Sequence, residues 1–461
     1  MSDFLHMDAV ELSRRMAARE VSAVEVMRAT LARIDAVNTR VNAIVSLRDR
    51  EALMGEARLA DAMPREGWLH GMPLAVKDLV GVKGVRSTWG SPLRDCVPVA
   101  DEALVTRLRR TGAIIIGKTN VPEFGLGSHS FNPIFGVTRN PYDLSRSAGG
   151  SSGGAAAALA MGMAPVADGS DMMGSLRNPA AWNNVYGFRP TAGLIPAEPG
   201  DSVFSHGLST RGPMGRSVAD VSALLETLTD GAFQPGPPPR KPPRIGWLGD
   251  WGGAYPMEEG VLDLAEGAVA AMRDLGWEVE PLAPPFDAAA LWQSWTDLRS
   301  FTVALEYGAD WRDPARRALL KPEAVWEIER GLALDGDRIE TAAAIRTRWL
   351  SALEEMFRQI DALVLPSTQC WPFPAEWRWP QEIASVAMDT YHRWMEVVVP
   401  VSLAGLPCLN LPAGFGAAGL PGGVQLIGPK GGDAVVLALG EIYHQATQWP
   451  RTHLPILDDD T

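Results

Sequence analysis

Gly149-Gly150-Ser151-Ser152-Gly153-Gly154 runs directly into Ala155-Ala156-Ala157-Ala158-Leu159, and after the apolar Ala164 to Ala167 comes Gly169-Ser170-Asp171-Met172-Met173-Gly174-Ser175. This stretch reads as loop, helix, strand, loop: the alanine run is a good helix former and the short apolar run is strand-like. Ser151 and Ser152 therefore lie at or next to a helix N-terminus, where unpaired N–H groups and the helix dipole favour negative charge. Gly/Ser loops are more often turns than active sites. Two of them close together, both offering hydroxyls and free backbone donors, point to an oxyanion-binding centre.

The same alternation extends in both directions. Short apolar runs at Leu74 to Val76 and Ile114 to Ile116 alternate with helical segments such as Asp101 to Arg110, so the chain reads as α/β with strands buried on both faces. Upstream, Ser22 and Glu25 form an S-x-x-E capping box before Met27, Leu31 and Ile34, and the first sixty residues read as helical. Downstream, Pro235-Gly236-Pro237-Pro238-Pro239 is a linker or a long loop ahead of a new strand at Arg244-Ile245-Gly246-Trp247. Another strand-like run follows at Ala362-Leu363-Val364-Leu365-Pro366.

Composition narrows the class. With 461 residues, 46% hydrophobic and 21% charged, the chain can bury a large core. A net charge of -13 argues against nucleic acid or anionic membrane as a main partner, because both repel it at long range. Cys96, Cys370 and Cys408 are far apart, which suggests neither a disulfide framework nor a metal site and fits a reducing, cytoplasmic setting. The N-terminus lacks a basic segment followed by an apolar one, and no run is long and unbroken enough to span a membrane.

Two motifs suggest other chemistries. Gly112-Ala113-Ile114-Ile115-Ile116-Gly117-Lys118-Thr119 satisfies the Walker A pattern, but its loop positions are a β-branched strand and Pro122 stands where the following helix should form. Gly149-Gly150-Ser151-Ser152-Gly153 matches a G-x-S-x-G nucleophile elbow, yet residues 140–146 show no strand-like run, and His206, His392, His444 and His453 sit in no distinctive context. A serine nucleophile still needs a base. Lys77 lies in the apolar setting Leu74-Ala75-Val76-Lys77-Asp78-Leu79-Val80, where desolvation lowers an ammonium pKa; pairing with Asp78 is the competing reading.

Taken in order, these residues closely resemble the amidase signature family. The matching segments are Gly71-Met72-Pro73-Leu74-Ala75-Val76-Lys77-Asp78, Gly117-Lys118-Thr119-Asn120 with Glu123-Phe124, residues 149–154, Gly169-Ser170-Asp171, residues 174–180, Gly212-Pro213-Met214, residues 403–407 and residues 419–428. The resemblance implies a single α/β/α domain over 1–461 around a central mixed twisted sheet flanked by helices. Its parts would be a helical portion at 1–65, the signature core at 66–235 and a variable portion at 240–461. It further implies no cofactor and a Ser-cisSer-Lys triad of Ser175 as nucleophile, Ser151 as relay and Lys77 as base, with a cis Gly150-Ser151 peptide. Backbone N–H groups of Met172, Met173, Gly174 and Ser175 would form the oxyanion hole, and Ser152, Asp171 and Arg177 would support the loops. One departure stands out: the family usually has two glycines before the nucleophile, whereas this chain has Met173-Gly174, so a positive φ at Met173 would be strained.

The leading expectation is hydrolysis of a small or aryl non-peptide amide through an acyl-enzyme on Ser175, by a monomer or homodimer without nucleic acid or membrane partners. The alternatives are a carbamate hydrolase using the same triad, and the amidase subunit of a glutamine-dependent amidotransferase complex. Trp371, Phe373, Trp377 and Trp379, clustered in a proline-broken loop, are expected to line a substrate pocket. Trp295, Leu298, Thr302 and Leu305 share one helical face and read as core packing.

Overall fold

The structure, a computed structural model, describes residues 3–196, 198, 207–237, 239 and 241–457. His206, Pro238, Arg240 and the two ends of the chain lie outside the described residues. At the centre is an eight-stranded mixed sheet, ordered Glu278–Pro281, Arg244–Trp247, Ala362–Pro366, Pro421–Ile427, Cys408–Phe415, Tyr186–Arg189, Thr210–Gly215 and Val166–Asp171. The first three strands are parallel and every later neighbour is antiparallel. Helices Gly153–Ala160, Arg177–Trp182, Val218–Leu228, Val261–Asp274 and Asp433–Thr447 pack against it, giving the mixed α/β architecture expected from the sequence.

A three-stranded sheet stands beside the edge strand Val166–Asp171. Its central strand Ile114–Thr119 pairs in parallel with Pro73–Lys77 and antiparallel with Ile44–Val45. All five residues of Pro73–Lys77 are buried, and the Lys77 N–H donates to Asp168 Oδ1 at 2.9 Å, fastening the small sheet to the large one. Helix Gly153–Ala160 is buried along its whole length. Its first turn lies so close to a neighbouring loop that a Cβ on Gly154 would collide with the backbone of Asn120 and Ala43, so glycine there sets how deeply the serine-bearing end of the helix can sit.

The capping box forms: the Glu25 N–H donates to Ser22 Oγ at 3.1 Å and the Ser22 N–H to Glu25 Oε2 at 2.8 Å. The Walker-like segment is a buried strand, and Lys118 donates to the Val80 carbonyl and lies 3.8 Å from Asp78. Two local readings need correction. Residues 143–147 do form a strand, paired with Arg139–Asn140; it is polar and lacks the apolar alternation by which strands are read. On helix Ala288–Arg312, Trp295 and Thr302 are buried, but Leu305 is 55% exposed. No helix among the described residues is long and apolar enough to cross a membrane.

Candidate active site

Lys77, at the end of its strand, is 1% exposed and surrounded by hydroxyls. Its Nζ lies 2.9 Å from Ser151 Oγ, 2.8 Å from Ser152 Oγ and 2.9 Å from Ser170 Oγ. Burial lowers its pKa to about 7, with the Asp168 and Asp171 carboxylates pulling the other way. Desolvation thus outweighs two nearby acids, and a large fraction of Lys77 is a neutral amine at physiological pH. The competing pairing with Asp78 does not occur: the Asp78 carboxylate accepts from the Thr88 hydroxyl and N–H and faces Lys118.

The Gly150-Ser151 peptide bond is cis, as the resemblance implies. The Ser128 hydroxyl donates to the Gly150 carbonyl, and Asn178 Nδ2 donates to that hydroxyl at 3.2 Å, so the carbonyl of the cis unit is held through a two-step chain. The Ser152 N–H donates to the Ser175 carbonyl at 3.2 Å, bringing the second Gly/Ser loop against the first. Lys77, Ser151, Ser152 and Ser175 therefore share one buried centre, with Ser175 7% exposed.

Asp171 organises the loop before Ser175. It accepts the Gly174 N–H at 2.9 Å and the Leu176 N–H at 3.2 Å, and pairs with buried Arg177 and Arg189. Burial would raise its pKa, but the two guanidinium groups overcome that and hold it well below the usual carboxylate range. Arg177 also donates to Gln425 Oε1 at 2.5 Å, Ser402 Oγ at 2.7 Å and the Val398 carbonyl at 3.1 Å, tying the loop to the C-terminal segment.

This bonding revises the oxyanion reading. The Gly174 N–H is already taken by Asp171, whereas those of Met172, Met173 and Ser175 meet no acceptor among the described residues. Met173 does not adopt a positive φ; Gly174 does, at +77°, and its missing side chain leaves room for Asn178. Met173 is instead 3% exposed and buried in the apolar cluster that also contains Trp182. The chain thus keeps glycine at the one position where the turn requires it.

The aromatic loop divides. Trp371 packs over Gly416 and Gly422 and donates to the Glu259 carbonyl at 2.9 Å; Phe373 is buried edge-on against His129, Trp182 and Trp394; Trp377 is 51% exposed. Only Trp379 of the four, half-buried and with its indole N–H meeting no acceptor among the described residues, turns toward Tyr391, at 6.4 Å between ring centroids. None of the buried histidines supplies a base for an elbow serine. His129 bonds Ser147 and the Ala375 carbonyl and is pushed down to about 4 by burial, and His392 likewise to about 3. A surface cleft of about 580 Å³, lined by Ser13, Trp68, Arg107 and Thr227 among others, contains none of the residues around Lys77.

Sequence reasoning gave no role to Ser170, the third hydroxyl on Lys77, although its motif was in view. It also missed Arg299, which reaches Met172 from a distant segment, and Tyr391, which accepts from Arg299.

The profile of the amidase family matches residues 25–437. The chain belongs to the amidase family. It is 33% identical to a glutamyl-tRNA(Gln) amidotransferase subunit from Picosynechococcus sp., covering 95% of this chain and 97% of that protein. To the protein of the same name from Thermus thermophilus it is 35% identical, covering 97% and 98%. Among solved structures, a bacterial aryl acylamidase of the amidase signature family superimposes with a TM-score of 0.87 at 25% identity, over 97% of this chain and 98% of that one.

These findings correct two expectations. Eight relatives, 31–35% identical over 93–99% of this chain, all carry the name of that same amidotransferase subunit, and none of the eight is named for an aryl amide or a carbamate. The reading as an autonomous hydrolase of small amides therefore gives way to the amidotransferase alternative. The expectation of a monomer or homodimer with only a small-molecule partner falls with it, since the relatives are named as subunits of a larger enzyme. The reason is physical: triad motifs report the bond attacked, and net charge reports only this chain's own surface, so neither speaks to what companion subunits bind.

Proposed function

We propose that this chain is the amidase subunit of a glutamine-dependent amidotransferase and releases ammonia from a carboxamide. The observation that carries the reading is the shared name of relatives aligned over nearly the whole chain, and the site chemistry agrees with it. Ser175 Oγ attacks the carboxamide carbon while Ser151 takes its proton and passes one to neutral Lys77. The oxyanion is received by the N–H groups of Met172, Met173 and Ser175. Ser151 returns a proton to the departing ammonia, leaving an acyl ester on Ser175. Water attacks this ester by the same relay, giving the free acid. Ser152 and Ser170 orient the Lys77 amine; Asp171 and Arg177 hold the loop. With a net charge of -13, this chain offers little attraction to RNA, so any tRNA contact falls to partner subunits. The setting is the cytoplasm, consistent with three free cysteines.

The test is ammonia release from glutamine by the chain purified with its cellular partners, alongside their identification by mass spectrometry. Glutamine turnover with copurifying subunits supports the reading; an isolated chain that hydrolyses simple amides and leaves glutamine untouched overturns it. The relay also fixes a pH profile. Because Lys77 must be neutral and titrates at about 7, kcat/KM for the amide should rise with pH, reach half its maximum near that value and plateau above it. A profile flat from about pH 6 to 9 would exclude Lys77 as the base.

A further inference from the structure

We propose that Arg299 is the anchor for a carboxylate on the acyl side of the substrate, and that the Met172 side chain is a movable cover over it. The proposal rests on the function reading only for the name of the donor, glutamine, an amide that carries a carboxylate. Its geometry is independent of that name.

A series of contacts links the serine-bearing loops to Arg299. A Cβ on Gly125 would come 3.5 Å from Ser151 Oγ, and one on Gly127 would touch the Tyr391 ring at 3.4 Å. The Tyr391 hydroxyl accepts from Arg299 Nη2 at 2.8 Å, and Arg299 Nη1 reaches Met172 Sδ at 3.2 Å, three residues before Ser175. Arg299 comes from helix Ala288–Arg312 and is 3% exposed.

Its donors are unequally served. Nε donates to the Glu327 carboxylate at 2.5 Å and Nη2 to Tyr391, while Glu327 is further fixed by the Ser300 hydroxyl at 2.6 Å and the Tyr391 hydroxyl at 2.9 Å. Among the described residues Nη1 meets only a thioether, and sulfur is a weak acceptor. A buried guanidinium whose inner edge is locked and whose outer edge meets only a polarizable, flexible side chain is preorganised for an anionic oxygen. Rotation of the half-buried Met172 side chain would uncover Nη1 without disturbing the Glu327 pair. Met172, just ahead of the Met173-Gly174 pair, shields the cation until a carboxylate displaces it.

The experiment measures calorimetric binding of glutarate and pentanoate to the full chain, with any copurifying subunits retained. The two acids differ by the distal carboxylate, and no turnover is needed. Wild type should bind glutarate about tenfold or more tighter than pentanoate. Arg299→Met combined with Glu327→Gln, which avoids an orphaned carboxylate, should bring the ratio close to one, and Met172→Ala should raise it. Equal binding of both acids by wild type, or a ratio that Arg299→Met/Glu327→Gln leaves unchanged in a folded protein, overturns the proposal. Should that double variant fail to fold, Met172→Ala decides: a raised ratio supports the anchor, and an unchanged or lowered one refutes it. Loss of the glutaminase reading would show separately, as absent ammonia release beside intact glutarate selectivity.

Discussion

Ser175→Ala is expected to lower the rate of carboxamide hydrolysis by at least about 10³-fold while leaving the protein folded. The kinetic loss is large because the hydroxyl is the proposed site of bond formation, and no neighbouring group can replace it in kind. Ser151 lies beside Lys77, bonded to its amine at 2.9 Å, so its removal would break the proposed relay rather than the ester. The structural cost is small by comparison. The change removes one oxygen at a position 7% exposed, with a net stability effect on the order of 1 kcal/mol. The backbone contact from the Ser152 N–H to the Ser175 carbonyl survives the substitution. Ammonia release gives the rate, urea unfolding gives the stability, and mass spectrometry of a denaturant-quenched reaction tests for the acyl adduct. Wild-type turnover in Ser175→Ala would remove Ser175 from the mechanism, whatever the family.

The contrast between what the sequence reveals here and what it conceals follows from distance along the chain. Ser151, Ser152, Ser170 and Ser175 lie within one loop-helix-strand-loop unit whose glycines and alanines leave little choice of local structure, and Lys77 stands out as a cation inside an apolar strand. Arg299 and Tyr391 offer no such local mark. Arg299 sits on a helix whose buried face also carries Trp295 and Thr302, and only tertiary packing turns it toward Met172. The aromatic loop misleads for a related reason: hydrophobic side chains near prolines are drawn equally to pocket and core, and Phe373 found partners in His129, Trp182 and Trp394. The strand at Asp143–Ser147 escaped because its side chains are polar and its pairing is local. The strain expected at Met173 does not arise, since the left-handed turn falls one residue later, on Gly174.

Asp171→Ala should be the most damaging substitution to stability, costing about 3–5 kcal/mol. The carboxylate has four obligations at once: the Gly174 N–H, the Leu176 N–H, and the guanidinium groups of Arg177 and Arg189, all in a site where Asp171 and both arginines are fully buried. Removing it strands two cations without water, which is why breaking such a cluster costs far more than an exposed ion pair is worth. The linkage has a definite sign. Because the folded pKa is depressed below that of the unfolded chain, the stabilisation is complete above the ordinary aspartate pKa and is lost only as pH falls through the folded value. The wild-type stability advantage over Asp171→Ala should therefore be constant through neutral pH and shrink only in strong acid. Activity should fall together with stability, since the same carboxylate sets the turn that carries the Met172, Met173 and Ser175 N–H groups of the proposed oxyanion site. Asp171→Asn separates the two effects: it can still accept one loop N–H but leaves both arginines uncompensated, so it should lose nearly as much stability as alanine. Equilibrium urea unfolding across pH provides the check. Near wild-type stability in Asp171→Asn would show that the loop hydrogen bonds, and not the buried charges, hold Ser175 in place.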